Sequence, residues 1–339
     1  MPFTSLIKRL SPFLLACAAL LAPIGSAPLQ AELQWSPGEG WRLVDPTPSE
    51  ARKSRPAEAL ELMNEGRRLQ ERERYIRALR RYRRVHRLYP DSVYAPEALY
   101  QSALIRRERR QWSPAFDALD TIVRRYPDYH RYSQVVGIQF QIATDVAEGA
   151  RFRLFWVLPG FRNMERAVNM LDGVVSNAPY SDYAPVALAY MAQVEENRNR
   201  PEDAIDAYER LINDYSDHLL APDAHIGLAR SHAGMVAGPA YDQGSTRKAI
   251  AHYEDFLILY PDSHHAESAE EELAGMRDVL ARSKLLIGDF YHFRRSNYVA
   301  ARVFYNEAIT SSPTSPSADE ARERLQEIEG LGPGTGTES

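Results

Sequence analysis

A metal site or an acid–base pair in this 339-residue chain would have to draw on its nine histidines, and their spacing does not build one. His225 and His232 stand seven apart, and His264 and His265 are adjacent in a turn-like stretch. Neither pair gives the His-x-x-x-His spacing with a third ligand that zinc requires. The single cysteine, Cys17, leaves no Cys-x-x-Cys pair and no internal disulfide. No Gly-x-Ser-x-Gly elbow occurs, and Gly244-Ser245-Thr246 lacks the Gly-x-x-x-x-Gly-Lys loop that cradles phosphate. The run Glu270-Glu271-Glu272 reads as the solvated start of a helix, where negative charge suits the helix dipole. No catalytic residue, metal or cofactor is expected, and the chain does not read as an enzyme.

Arginine is the chemistry that remains. Between Asn64 and Pro90 there are ten arginines against Glu65, Glu71 and Glu73, a formal +7, while Asp255 to Ser339 carries eight basic and fifteen acidic residues, a formal −7. A guanidinium pairs in its plane with carboxylates and phosphates. Arg80, Arg81, Arg83 and Arg84 are therefore the candidate docking patch, for an acidic partner segment or lipid phosphates. The competing reading is a solvated helix face. The net charge of −5 gives no reason to expect nucleic acid as a partner.

The elements that must carry these side chains follow from a repeat. With Pro90, Pro127, Pro179, Ser216, Pro261 and Pro313 as anchors, an alanine lies twelve positions before each: Ala78, Ala115, Ala167, Ala204, Ala249 and Ala301. Eight before each stands a large residue: Tyr82, Leu119, Leu171, Tyr208, Tyr253 and Tyr305. Five after the anchor stand Ala95, Ala184, Ala221, Ala266 and Ala318, and eight after it Ala98, Ala187, Ala224, Ala269 and Ala321. The Pro127 unit departs from this, with Tyr132 and Val135. Positions i and i+4 share a helical face, so the alanine admits a neighbouring helix while the large residue fills the gap. The anchor proline stops the helix. Asp91, Ser92, Ser181, Asp182, Asp262 and Ser263 are placed to cap the next one, whose first turn tolerates Pro96, Pro185 and Pro222.

The fold expected is all-α, a solenoid of about six helix pairs over residues 56–329. Its pattern resembles the tetratricopeptide repeat, a unit of ~34 residues. Anchor spacings of 37, 52, 37, 45 and 52 residues mark insertions near 149–162, at 237–246 and within 270–290. The first holds Phe152, Phe155, Trp156 and Phe161, which either fold back into the groove or meet a partner. The first helix of each tetratricopeptide unit lines a concave groove. In the first two units that face would carry Met63, Arg67, Tyr100, Leu104 and Arg107, suited to an extended peptide.

Residues 1–31 read as an export signal, with Lys8 and Arg9 before the apolar run from Phe13 to Ala22 and a cleavage site after Leu29-Gln30-Ala31. Leu14-Leu15-Ala16-Cys17 also resembles a lipobox, which would make Cys17 the acylated mature N-terminus. Either reading exports the chain to the periplasm. Residues 32–55 read as an extended leader and 330–339 as a disordered tail.

Tyr89-Pro90-Asp91-Ser92 closing one unit and Ala95-Pro96-Glu97-Ala98 opening the next resemble the periplasmic BamD (YfiO) family. So does the stretch from Gly288-Asp289-Phe290-Tyr291 to Tyr298-Val299-Ala300-Ala301, and the likeness runs over about 57–329. The resemblance implies a helical-repeat lipoprotein scaffold on the inner face of the outer membrane. Its partners would be a β-barrel assembly subunit and unfolded outer-membrane protein segments, with peripheral membrane contact. A periplasmic repeat adaptor of the Tol–Pal or peptidoglycan machinery is the alternative.

Overall fold

A computed structural model describes residues 32–37, 39–44, 57–149, 164–241 and 243–329. Two short strands, β1 (Glu32–Ser36) and β2 (Gly40–Val44), precede the helices. The helices follow one another in pairs: α1 (Ala57–Glu71) with α2 (Tyr75–Leu88), then α3 (Tyr94–Glu108) with α4 (Trp112–Arg125). α5 (Tyr132–Ala147) and α6 (Met164–Asn177) come next, then α7 (Tyr183–Asn197) and α8 (Pro201–Asp214). α9 (Ala221–Gly234) pairs with α10 (Gly244–Leu259). α11 (Ala266–Asp289) leads through a π-helical turn, Phe290–Arg294, to α12 (Tyr298–Ser311), and α13 (Pro316–Glu327) comes last. The chain divides into two compact units, up to Leu99 and from Tyr100, so the division falls inside α3.

The repeat register is the register of the core. All six alanines twelve before the anchors are wholly buried, and the large residues eight before them are buried too. A third buried position lies five before each anchor: Val85, Ile122, Val174, Leu211, Phe256 and Ala308. These offsets are i, i+4 and i+7, one stripe along a helix. Each helix that ends before an anchor stops two residues short of it. The connector that follows is the same in every unit. The N–H two after the anchor donates to the carbonyl one before it, as Ser92 to Tyr89, and the N–H five after donates to the carbonyl two after, as Ala95 to Ser92.

Capping is where the connectors depart from expectation. Ser92 and Ser181 turn their hydroxyls back, donating to the carbonyls of Tyr89 and Ala178 at 2.7 Å, and Asp182 makes no side-chain cap. Each hydroxyl joins its own residue's N–H on that carbonyl, so it is spent on the connector. Ser315, which the sequence did not single out, does both: its hydroxyl donates to the Ser312 carbonyl at 2.9 Å and accepts from the Ala318 N–H, capping α13. Within pairs, the turn bends through a residue in the left-handed region seventeen before the anchor: Glu73, Arg110, Asn199 and Ser296, with φ between 50° and 57°. At the first three, the next residue's N–H donates five residues back, as Gln111 to Arg106, closing a Schellman-type end.

The insertions behave differently from one another. Phe152, Phe155, Trp156 and Phe161 lie outside the described residues, as do the signal segment with Cys17 and the tail 330–339. The 237–246 loop folds around Gln243, whose amide donates to the carbonyls of Gly238, Pro239 and Tyr241 while its oxygen accepts from Thr246 at 2.9 Å. The extra length within 270–290 is no loop: it lengthens α11 to 24 residues. The expected leader is in part a hairpin, with Leu33 opposite Leu43 and Trp35 opposite Trp41 across antiparallel strands. Gly40, at φ 83°, allows the return.

Candidate protein-docking surfaces

The hairpin reaches the first helix through two contacts. The Trp41 N–H donates to Asn64 Oδ1 at 2.8 Å, and the Arg67 guanidinium lies 4.4 Å from the centre of the Trp35 ring. Arg67 also pairs with Glu71 at 3.2 Å. Met63 is wholly buried. Met63 is here spent within the fold, whereas Arg67 is half-buried and shares its guanidinium with an aromatic partner that its position in the helix did not reveal.

The α3 candidates split. Tyr100 is only 3% exposed, its ring 6.2 Å from that of Tyr129 and covered by the Arg131 guanidinium at 5.3 Å, so it too is a packing residue. Leu104 and Arg107 are half-buried and remain accessible. Arg107 acts on Asp145, whose carboxyl burial pushes above its ordinary pKa while the guanidinium pulls it down.

On α2 the buried side is Ala78, Tyr82 and Val85, and the opposite side is arginine. The helix holds six arginines and no acidic residue. Arg81 pairs with Glu65 at 2.9 Å and Arg84 with Glu58 at 3.3 Å. Arg80 and Arg83 are exposed and have no partner among the described residues. The four-residue patch thus divides into two guanidinium groups tied to α1 and two that point away.

Titratable groups elsewhere are perturbed by packing. The Tyr208 hydroxyl donates to Glu196 at 3.1 Å and Tyr253 to Glu272 at 2.9 Å, and burial raises both phenols and Glu196. Arg230 clamps Glu272 with two nitrogens at 2.9 Å. These acids are shared by donors from two helices and brace the array. One cluster escaped the sequence reading. The turn brings His264 and His265 to Asp223 of α9, with one ligand atom from each within 4.8 Å of the others. His265 Nε2 lies 3.1 Å from Asp223 Oδ1, beside a cleft of about 390 Å³ lined by Leu219, Pro222, Tyr260 and Pro261. Among the described residues, those three side chains are the set that could hold a metal ion. Their separation along the chain, 41 residues from Asp223 to His264, hid the third ligand.

The C-terminal half presents apolar surface. Phe290 and Phe293 on the π-turn, and Val299 and Val303 one turn apart on α12, are each about half exposed. Arg295 lies over Phe290 at 5.5 Å and Arg324 over Phe293 at 5.1 Å. This half also matches, over residues 161–332, a family profile described as an outer membrane lipoprotein, YfiO; the match takes in just over half of the chain. The chain belongs to the YfiO family. The YfiO match is narrower than the 57–329 read from the motifs; residues 97–129 match a general tetratricopeptide repeat. A YfiO-family relative from Xylella fastidiosa strain Temecula1, an outer membrane protein assembly factor BamD, is 23% identical over 42% of this chain and 52% of its own length. Its counterpart in Caulobacter vibrioides is 25% identical over 49% and 54%. The chain spans about half the length of the curated relatives it matches. Among solved structures, a tetratricopeptide protein of Thermus thermophilus aligns at 20% identity and a TM-score of 0.29, over 64% of this chain and 98% of its own. One from Parabacteroides merdae aligns at 11% and 0.29, over 79% and 98%. Among the described residues of this YfiO member, no helix is long and apolar enough to cross a membrane.

Proposed function

We propose that the protein is a non-enzymatic, protein-binding scaffold of the bacterial envelope that assists the assembly of β-barrel proteins into the outer membrane. The observation that carries this reading is the YfiO match over residues 161–332, supported by relatives named as outer membrane protein assembly factors. The export signal would deliver it to the periplasm, at the inner face of the outer membrane. Protein segments would dock through the exposed Phe290, Phe293, Val299 and Val303, where apolar side chains, the two phenylalanines each with an arginine over the ring, suit an interface. Leu104 and Arg107 are a second contact set. Purification of the tagged full chain from detergent-solubilised envelopes, with mass analysis of its mature N-terminus, tests this. A β-barrel assembly subunit should co-purify, and Phe290→Ser with Phe293→Ser should lose it while keeping helicity. Recovery of only Tol–Pal components would replace this reading.

A further inference from the structure

We propose that the outward face of α2 is a docking surface for an anionic phospholipid bilayer, with the guanidinium groups of Arg80, Arg83 and Arg87 on lipid phosphates. Ile76, Arg80, Arg83 and Arg87 fall at i, i+4, i+7 and i+11, a single line along the helix directly opposite its buried stripe. The line is roughly 16 Å long. All four side chains are exposed, Ile76 at 59%, and Leu88 at the far end of the helix is 45% exposed. Arg80, Arg83 and Arg87 have no hydrogen-bond or ion-pair partner among the described residues. Glu58 and Glu65, the acids nearest to hand on α1, are already taken by Arg84 and Arg81.

The occupant follows from charge and shape. Six arginines with no acid on one helix attract an anion, and the planar guanidinium, with its fork of N–H donors, matches a pair of phosphate oxygens better than a lysine ammonium does. A peptide is held in a groove, along a strand edge or by arginines clustered around its acidic group. Here the cations stand on the outward side of one helix, with the exposed Ile76 at one end of their line. That is the pattern of a polybasic surface on a membrane, arginine at headgroup level and Ile76, on the same line, reaching toward the acyl boundary.

The test is flotation of the full chain with vesicles of phosphatidylcholine alone and of phosphatidylcholine containing about one-third phosphatidylglycerol. The chain should bind the anionic vesicles more tightly, and the excess should disappear between ~50 mM and ~500 mM salt. The triple variant Arg80→Gln, Arg83→Gln, Arg87→Gln should weaken anionic binding tenfold to about a hundredfold, about fivefold per arginine. Its binding to phosphatidylcholine should not change. Ile76→Ser should give a smaller loss that persists at high salt. These side chains project into solvent, so circular dichroism and the thermal midpoint should stay as in the parent. Equal binding to both vesicle types, or a triple variant that binds like the parent, would overturn the proposal. Polyglutamate capture abolished by the triple variant, with no vesicle preference, would assign the face to an acidic polypeptide instead. Since no assembly subunit is present, this result is read independently of the co-purification.

Discussion

A Cβ built on Gly227 would stand 2.4 Å from the ring of Tyr208, and one on Gly66 or Gly288 would meet Tyr82 or Tyr305 at 2.7 and 2.5 Å. These glycines give way so that a repeat tyrosine can lie flat against the neighbouring helix. Gly227→Ala should therefore cost about 2 kcal/mol in urea denaturation. Gly275→Ala, within α11 and with no atom in reach of the new methyl, should add about 0.5–1 kcal/mol. The tyrosines stood out in the sequence; their glycine partners did not, because Gly227 follows Tyr208 by nineteen residues and Gly66 precedes Tyr82 by sixteen. His232 offers a second test. It is buried, its ring stacks on His252 at 5.0 Å, and burial, then His252 and Lys248, lower its pKa to about 4. The folded state thus refuses a proton that the unfolded chain takes up near pH 6.5, so stability is complete above that pH and declines as pH falls through about 4. The loss should reach up to about 3 kcal/mol, and His232→Phe should flatten the stability profile between pH 7 and 4.

At the scale of elements, the repeat's stops and seams were legible because both rest on side-chain types at fixed offsets. Ala204→Leu should lower stability by about 2 kcal/mol, since the seam has no room for a larger side chain, whereas exposed Asp206→Ala on the same helix should stay within about 0.5 kcal/mol. The turns inside the pairs were not legible. Their left-handed residue is glutamate, arginine, asparagine or serine, and the sequence carries no glycine there to announce it. That is also a testable strain: Arg110→Gly should stabilise by about 1 kcal/mol in thermal or denaturant unfolding. The hairpin was missed for a related reason. Leu33, Trp35, Trp41 and Leu43 alternate over too few residues to stand out, and its pairing depends on contacts with Asn64 and Arg67 that lie outside the segment. The same dependence on distant partners moved Met63 and Tyr100 from a groove to the packing.

For the molecule as a whole, a repeat array distributes its stability among neighbours. Tyr305→Ala should raise amide hydrogen exchange across α11–α13 and leave α7 and α8 protected, which exchange followed by mass spectrometry can read. The boundary between those responses should pass through α11, because that helix serves two cores. Ala269 and Leu273 pack with Ile226, Tyr253 and Phe256, while Ala281 and Leu285 pack with Ala301, Tyr305 and Ala308. Each pair of contacts recurs twelve residues on, which at about 100° per residue leaves the second core facing roughly 120° away from the first. α11 therefore works as an indexed axle. Deleting a single residue between Leu273 and Ala281 would swing everything carried by α12 and α13 through about 100° and draw it in by about 1.5 Å, so only whole-turn changes in its length would keep Phe290, Phe293, Val299 and Val303 aimed where they now point.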